Sequence, residues 1–169
     1  MATSSRGWRF LDCLSACRAG YCLIGAVAIN HHIAKVVPSD AVTLSLNFEV
    51  VVASDKLAAL QQAATTDGFV AQPRQAGLSL RHPSSDASFL VLKDPRLQAF
   101  LAAAKPGKVF RNKVVLASRE DLVQAKLWQL AEHSRISREY QTHLTDLHRL
   151  LEAYPALAAL VPPALQPQP

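Results

Sequence analysis

The stretch from Tyr21 to Val52, YCLIGAVAINHHIAKVVPSDAVTLSLNFEVVV, constrains the fold of this chain more than any other. Tyr21 to Ile24 is short, apolar and β-prone, and Gly25 follows it directly. A helix of small residues runs from about Ala26 to Lys35, and a strongly β-prone run extends from Val42 to Ala53. Glycine at a strand-to-helix junction lets the backbone turn without a Cβ clash, and the helix start it opens can receive a phosphate. The pattern predicts a strand, a glycine turn, a helix and a returning strand.

The remaining elements follow in alternation. Trp8 to Cys17 carries apolar residues at helical spacing and stops at Gly20. Asp55 reads as the N-cap of a helix from Lys56 to Ala64 that ends near Gly68. Phe69 to Gln72 and Leu78 to His82 read as strands around a Pro73 to Gly77 turn, and Ser88 to Leu92 as a buried strand. Asp94-Pro95 opens a helix to about Ala104, with proline at the first helical position. A strand is expected from Val109 to Leu116, with Arg111-Asn112-Lys113 forming a turn inside it. Ser118 to Asp121 resembles a capping box that opens a helix to about Glu132. Further helices are expected from Ser137 to Ala153 and from Pro155 to Leu160, and the proline-rich tail after Val161 should be disordered. The expected class is α+β with an α/β-type core: a mixed sheet with flanking helices and a helical C-terminal layer. One domain spans residues 1–162, with its core at about 20–116, its helical part at 118–162 and a disordered tail at 163–169.

Composition removes several classes. With 169 residues, half of them hydrophobic and 18% charged, the chain can build a real core. A net charge of +5, with scattered rather than clustered basic residues, permits nucleic-acid contact without requiring it. No apolar run approaches the roughly 18 residues that span a bilayer. Asp12, Ser15 and Arg18 interrupt any export-signal core, so a cytoplasmic protein with reduced thiols is expected. Cys13 and Cys17 share a helix face, but no His or further Cys follows at ligand spacing, so Cys13, Cys17 and Cys22 read as small core residues. No Ser-His-Asp or Cys-His order suggests a hydrolase.

Several local strings sharpen this outline: Tyr21 to Gly25 with Ala28-Ile29-Asn30-His31, Phe48, Val50 to Ala53, Lys93 to Arg96, Ser118 to Trp128, Leu144 to Leu147, and Leu150 to Pro155. In these strings, from about residue 20 to 162, the chain resembles the nucleotidyltransferase superfamily. Its likeness is strongest to the abortive-infection (AbiEii-like) nucleotidyltransferases of toxin–antitoxin pairs. The resemblance implies a nucleoside triphosphate held at the glycine turn, here Gly25 and Ala26. It also implies two carboxylates one residue apart on the strand after the first helix, holding Mg²⁺ for transfer of a nucleoside monophosphate to an RNA or protein hydroxyl. The implied partners are the NTP, tRNA or another RNA, and a cognate antitoxin protein.

This chain departs from the pattern at that acidic pair. Aligned backwards from Phe48, the two positions are Ser45 and Asn47; aligned forwards from Val36-Val37, they are Asp40 and Val42. Neither register keeps two carboxylates, and a neutral Ser or Asn lacks the charge that draws Mg²⁺ out of water. Asp40 and Asn47 are the candidate metal ligands, and the strand Phe89 to Leu92 offers no third carboxylate. Glu49 is read as turned away from Asn47 and Ser45, and so as a poor replacement. Lys126 and Asp146 match a lysine and an aspartate of relatives, and with Asp40, Ser45 and Asn47 they complete the candidate catalytic set. Without the resemblance, Lys126 reads as a solvated helix lysine, and Asp146 either orients it or pairs with Arg149 at i+3. His31 and His32 are candidates for base stacking, or for the ordinary helix-end histidine favoured by the dipole. Arg135 and Arg138 flank a helix connection, where an acceptor's phosphates could meet them. A degenerate, weakly active or inactive member is the expectation, with a non-catalytic nucleotide- or protein-binding module as the alternative.

Overall fold

The computed structural model describes residues 8–37 and 46–167. Its elements run α1 (Arg9–Ala16), β1 (Tyr21–Ile24), α2 (Gly25–Ile33), β2 (Asn47–Val52), α3 (Leu57–Thr66), β3 (Val70–Arg74), β4 (Gly77–Arg81), β5 (Ser88–Leu92), β6 (Lys105–Val109), β7 (Asn112–Leu116), α4 (Arg119–Glu132) and α5 (Arg138–Ala153). The seven strands form one mixed sheet in the order β3-β4-β5-β2-β1-β7-β6. β2 pairs antiparallel with β1 and parallel with β5, while β1 pairs parallel with β7. The expected α+β class, a mixed sheet with flanking helices, is the one observed.

Alternation in β2 divides the sheet into two faces. Phe48 turns to one side with Phe89 and meets α1, where Trp8 lies edge-on to Phe48 at 5.0 Å and Phe10 stacks on Phe89 at 4.2 Å. Phe69 joins Phe10 at 6.3 Å, so α1 is held by an aromatic cluster as well as by aliphatic burial. On the opposite face α2 packs against β1 and β2 and is covered in turn by α4 and α5. Among the described residues, these three helices do not cover the outer part of that face, over β3 and β4.

Side-chain caps fix three of the helical starts. Ser118 accepts a hydrogen bond from the Asp121 amide at 3.1 Å, and Ser137 accepts one from the Tyr140 amide at 3.1 Å, each satisfying one orphan donor of a helix start. Asp94 likewise accepts from the Arg96 amide at 3.0 Å. Several expectations are corrected. Asp55 is not a cap: residues Ser54–Lys56 form a 3₁₀ turn in which the Lys56 amide donates to Ala53 at 2.9 Å, and α3 begins only after it. Residues Pro95–Ala102 are 3₁₀ rather than α-helical, as are Pro155–Leu160. The strand expected from Val109 to Leu116 with a turn at Arg111-Asn112-Lys113 is a hairpin whose turn falls earlier, at Phe110 and Arg111, both at positive φ, with Gly107 inside β6. Pro163–Leu165 form a 3₁₀ turn, His148 Nε2 donates to the Leu165 carbonyl at 2.9 Å, and the Gln166 amide donates to Ala158 and Val161. Proline supplies no backbone donor here; the His148 ring of α5 and the Gln166 side chain of the tail itself satisfy these carbonyls instead.

Candidate functional site

The glycine turn is built as the sequence suggests, but a carboxylate fills it. Gly25 opens α2 at φ +69°, a left-handed conformation that side chains disfavour. A Cβ at this position would overlap Glu49 Oε2, so glycine is needed both for its backbone and for the approach of that carboxylate. The register explains the encounter: Ile24 lies opposite Glu49 in the β1–β2 pair, which brings Glu49 directly beside the turn. The expectation that Glu49 turns away is therefore wrong. Positions 47 and 49 are two apart in the strand and share a face by alternation. The pair of polar side chains at the turn is Asn47 and Glu49; Asp40 and Ser45 lie outside the described residues.

Lys126 of α4 and Asp146 of α5 close over Glu49 from the helical side. Both are buried, at 3% and 8% exposure, so Lys126 is no solvated helix lysine. Its ammonium reaches Asp146 Oδ2 at 2.9 Å and donates to His143 Nδ1 at 3.2 Å. The other oxygen of Asp146 faces Arg149 Nη1 at 3.6 Å, and Arg149 donates to Asn30 Oδ1 of α2 at 2.8 Å. Asp146 thus does both things considered for it: it holds the lysine and pairs with Arg149. One chain of polar contacts ties α2, α4 and α5 together above β2, with Glu49 at its end.

Burial sets the protonation of this cluster. Removal from water pushes the Glu49 carboxyl above its ordinary value; the Lys126 charge opposes this and the Asp146 charge adds to it. His143 is pushed down to about 4 by burial, by the Lys126 charge and by His133. It is therefore a neutral ring that accepts from the ammonium at Nδ1 and carries its own proton on Nε2.

Asn47 stands at the solvent end of the same face. Ser88 of β5 donates to its Oδ1 at 2.7 Å, across a parallel register that places the two residues side by side. Beyond them an open groove of about 690 Å³ extends over β3 and β4 toward the sheet edge. It is lined by Asn47, Ser88, Arg81, Ser79, Gln72 and Arg74, with Asp86 at its rim.

The other candidates settle elsewhere. His31 Nδ1 donates to the Lys108 carbonyl at 3.1 Å and His32 Nε2 to the Ala117 carbonyl at 3.0 Å, so both pin α2 to the β6–β7 hairpin. Burial lowers both rings' affinity for a proton, contrary to the charged helix-end histidine that a dipole would favour. Cys13 and Cys22 are buried thiols pushed up to about 11 and about 12, mainly by loss of water, which fits core residues and not thiolate ligands. Among the described residues no group of three or more His, Cys, Asp or Glu side chains is arranged to hold a metal ion. Among them, too, no helix is long and apolar enough to cross a membrane.

The Mg²⁺ that the resemblance implies can be tested against these donors. Among the described residues the turn offers one carboxylate, Glu49, one amide, Asn47, and one hydroxyl, Ser88. The carboxylate is already opposed by a buried lysine. A two-metal site draws its ions from water by accumulating negative charge, and this donor set does not fit one.

No protein-family model and no curated protein matches the sequence. Solved structures do match the fold. ANT(2'')-Ia in complex with adenylyl-2''-tobramycin aligns at TM-score 0.56 and 12% identity, over 92% of this chain and 96% of that one. The lincosamide antibiotic adenylyltransferase LnuA, lincomycin-bound, aligns at TM-score 0.53 and 11% identity, over 86% and 96%. An antigenic nucleotidyltransferase-like protein from Paracoccidioides brasiliensis aligns at TM-score 0.51 and 17% identity, over 95% and 90%. The chain therefore has a nucleotidyltransferase-like fold, and at these identities the likeness establishes the fold alone.

Proposed function

We propose that this chain is a nucleotidyltransferase-fold protein that holds a nucleotide at the Gly25–Ala26 turn but transfers nucleoside monophosphate weakly or not at all. The observation that carries the reading is the placement of Glu49: the one described carboxylate at the turn lies against the helix start and is opposed by Lys126. An anion at the start of α2 is favourable, and the Glu49 carboxylate occupies the place a phosphate would take. A triphosphate must displace it, neutralise it, or share a cation with it. Asn47 and Ser88 add oxygens without charge, so they do not rebuild a two-metal centre. Lys126 is the cation on hand for phosphate, with Asp146 positioning it. The AbiEii-like resemblance supplies the setting for this reading, a toxin–antitoxin or phage-defence pair in which a cognate protein or an RNA is the partner. The adenylyl and lincomycin complexes of the structural neighbours support AMP transfer as the ancestral reaction.

A second reading rests on the i, i+2 spacing of Asn47 and Glu49, side chains that would hold a single divalent cation able to offset nucleotide phosphate charge. Titration calorimetry with ATP, CTP, GTP and UTP, with and without Mg²⁺, separates the two. On the first reading binding is indifferent to Mg²⁺, and Glu49→Gln tightens it by removing the competing charge. Binding that requires Mg²⁺ and vanishes in Glu49→Gln would establish the second. Loss of that Mg²⁺ dependence in Asp40→Ala would place Asp40 among the ligands. No binding of any nucleotide would sink both.

A further inference from the structure

The open groove beside Asn47 carries chemistry that a nucleotide turn does not use. Its floor is a cross-strand row: Asn47 faces Ser88, Ser88 faces Arg81, and Arg81 faces Val70. The next positions along the strands pair Gln72 with Ser79, and then Arg74 with Gly77. Neighbouring strands lie about 4.8 Å apart, so Arg81 stands about 10 Å from Asn47, the length of a small sugar phosphate. An open groove of about 690 Å³ falls within the volume range of small-ligand sites.

Charge decides the class of ligand. Among the described residues the lining holds two guanidinium groups and one carboxylate, that of Asp86. Arg81 is exposed and makes no side-chain hydrogen bond or ion pair with any described residue, while Arg74 only donates to Gln72 at 3.0 Å. A guanidinium fork matches phosphate oxygens in two parallel hydrogen bonds, and a polyamine would be repelled by the same pair of arginines. The described lining contributes no aromatic ring for base stacking, which separates this surface from a single-stranded RNA channel.

We infer that the groove over β3, β4 and β5 binds a small phosphomonoester such as a sugar phosphate. Arg81 and Arg74 take its phosphate, and the Ser88–Asn47 end faces its hydroxyls. The inference goes beyond the nucleotide reading and names a second ligand on the same face, one whose hydroxyl end points toward the turn.

The full chain is titrated with ribose 5-phosphate, ribose, tobramycin and a single-stranded RNA oligonucleotide, and separately with ATP. The expected result is binding of ribose 5-phosphate but not of ribose. Arg81→Gln and Arg74→Gln should each weaken it about tenfold while leaving the ATP isotherm and the circular dichroism spectrum unchanged. Several results overturn the inference: no ribose 5-phosphate binding, equal affinity for ribose, tighter binding of tobramycin, or an affinity that both variants leave intact. RNA binding that depends on Arg81 without sugar-phosphate binding would assign the groove to nucleic acid instead. Competition between ATP and ribose 5-phosphate, with Arg81 needed for both, would make the groove the nucleotide's own phosphate site and would also overturn it. Failure of ATP alone to bind any sample counts against the nucleotide reading and leaves the sugar-phosphate result standing.

Discussion

Two polar regions share one face of the sheet and treat charge in opposite ways. Beneath α4 and α5, Lys126, Asp146, Arg149 and Asn30 form a contact network in which each charged group has a partner within 3.6 Å, with Glu49 beside it. Over β3 and β4, Arg81 and Arg74 stand in solvent with almost nothing to hold them. Buried charges are costly to strand, so the first region contributes to the fold and resists change. Exposed charges cost little, so the second is free to serve a ligand. A buried lysine of α4 and an exposed arginine of β4 therefore differ in what their loss should do.

The largest expected effect is in the buried region. Lys126→Met leaves Glu49 without its cation and Asp146 with Arg149 alone, and should destabilise the protein by about 3–5 kcal/mol, read as a shift in the urea midpoint. A change within experimental error would show that Glu49 is neutral and that Arg149 alone suffices for Asp146. The glycine turn comes next. Gly25→Ala must adopt φ +69° and displace the Glu49 carboxylate, a cost of about 1–3 kcal/mol. Gly20→Ala is the control, because its Cβ would meet nothing nearer than Ala53 Cβ at 3.9 Å.

A smaller effect concerns pH. His143 binds its proton less well folded, at about 4, than unfolded, at 6.5, so the unfolded chain takes up more protons between those values. Stability from this group is fully present above pH 6.5 and is lost as pH falls toward 4. Glu49 works in the opposite sense: its folded carboxyl is raised above the ordinary 4.5, so its penalty appears as pH rises above that value. Unfolding midpoints measured from pH 7 to 4 should therefore fall less steeply in His143→Gln than in the parent chain. A parallel pair of curves would remove His143 from the buried network. The smallest stability effect belongs to the open groove, where Arg81→Gln should change unfolding free energy by no more than about 0.5 kcal/mol while it weakens phosphate binding. A large loss of stability there would erase the contrast between the two regions.

Much of the scaffold is legible without coordinates because it rests on local rules. Tyr21 to Ile24 and Ser88 to Leu92 are strands of those bounds, and Ser118 and Ser137 cap the helices they precede. Asp94 caps as its position before Pro95 suggests, but the turn it opens is 3₁₀, since helix type depends on what the segment packs against. The candidate site was legible in part. Gly25, Asn47, Lys126 and Asp146 were marked, and the structure gathers the last two beside Glu49. Glu49 reads in the sequence as turned away, yet its i, i+2 spacing from Asn47 already puts the two on one face of a regular strand. Arg74, Arg81 and Ser88 carried none, because a residue on a short edge strand is not linked to a site by any local pattern.

By itself, the sequence determined the strand, glycine turn and helix at Tyr21 to Ile33, the capped helices that follow, and the α+β class, since periodicity and capping act over a few residues. Only the tertiary structure decided that Glu49 fills the turn, that Lys126 is buried against Asp146, and that two arginines line an open groove. Those outcomes depend on strand register and on helices packing across long separations in the chain. Burial then converts ordinary side chains into charges that must find partners.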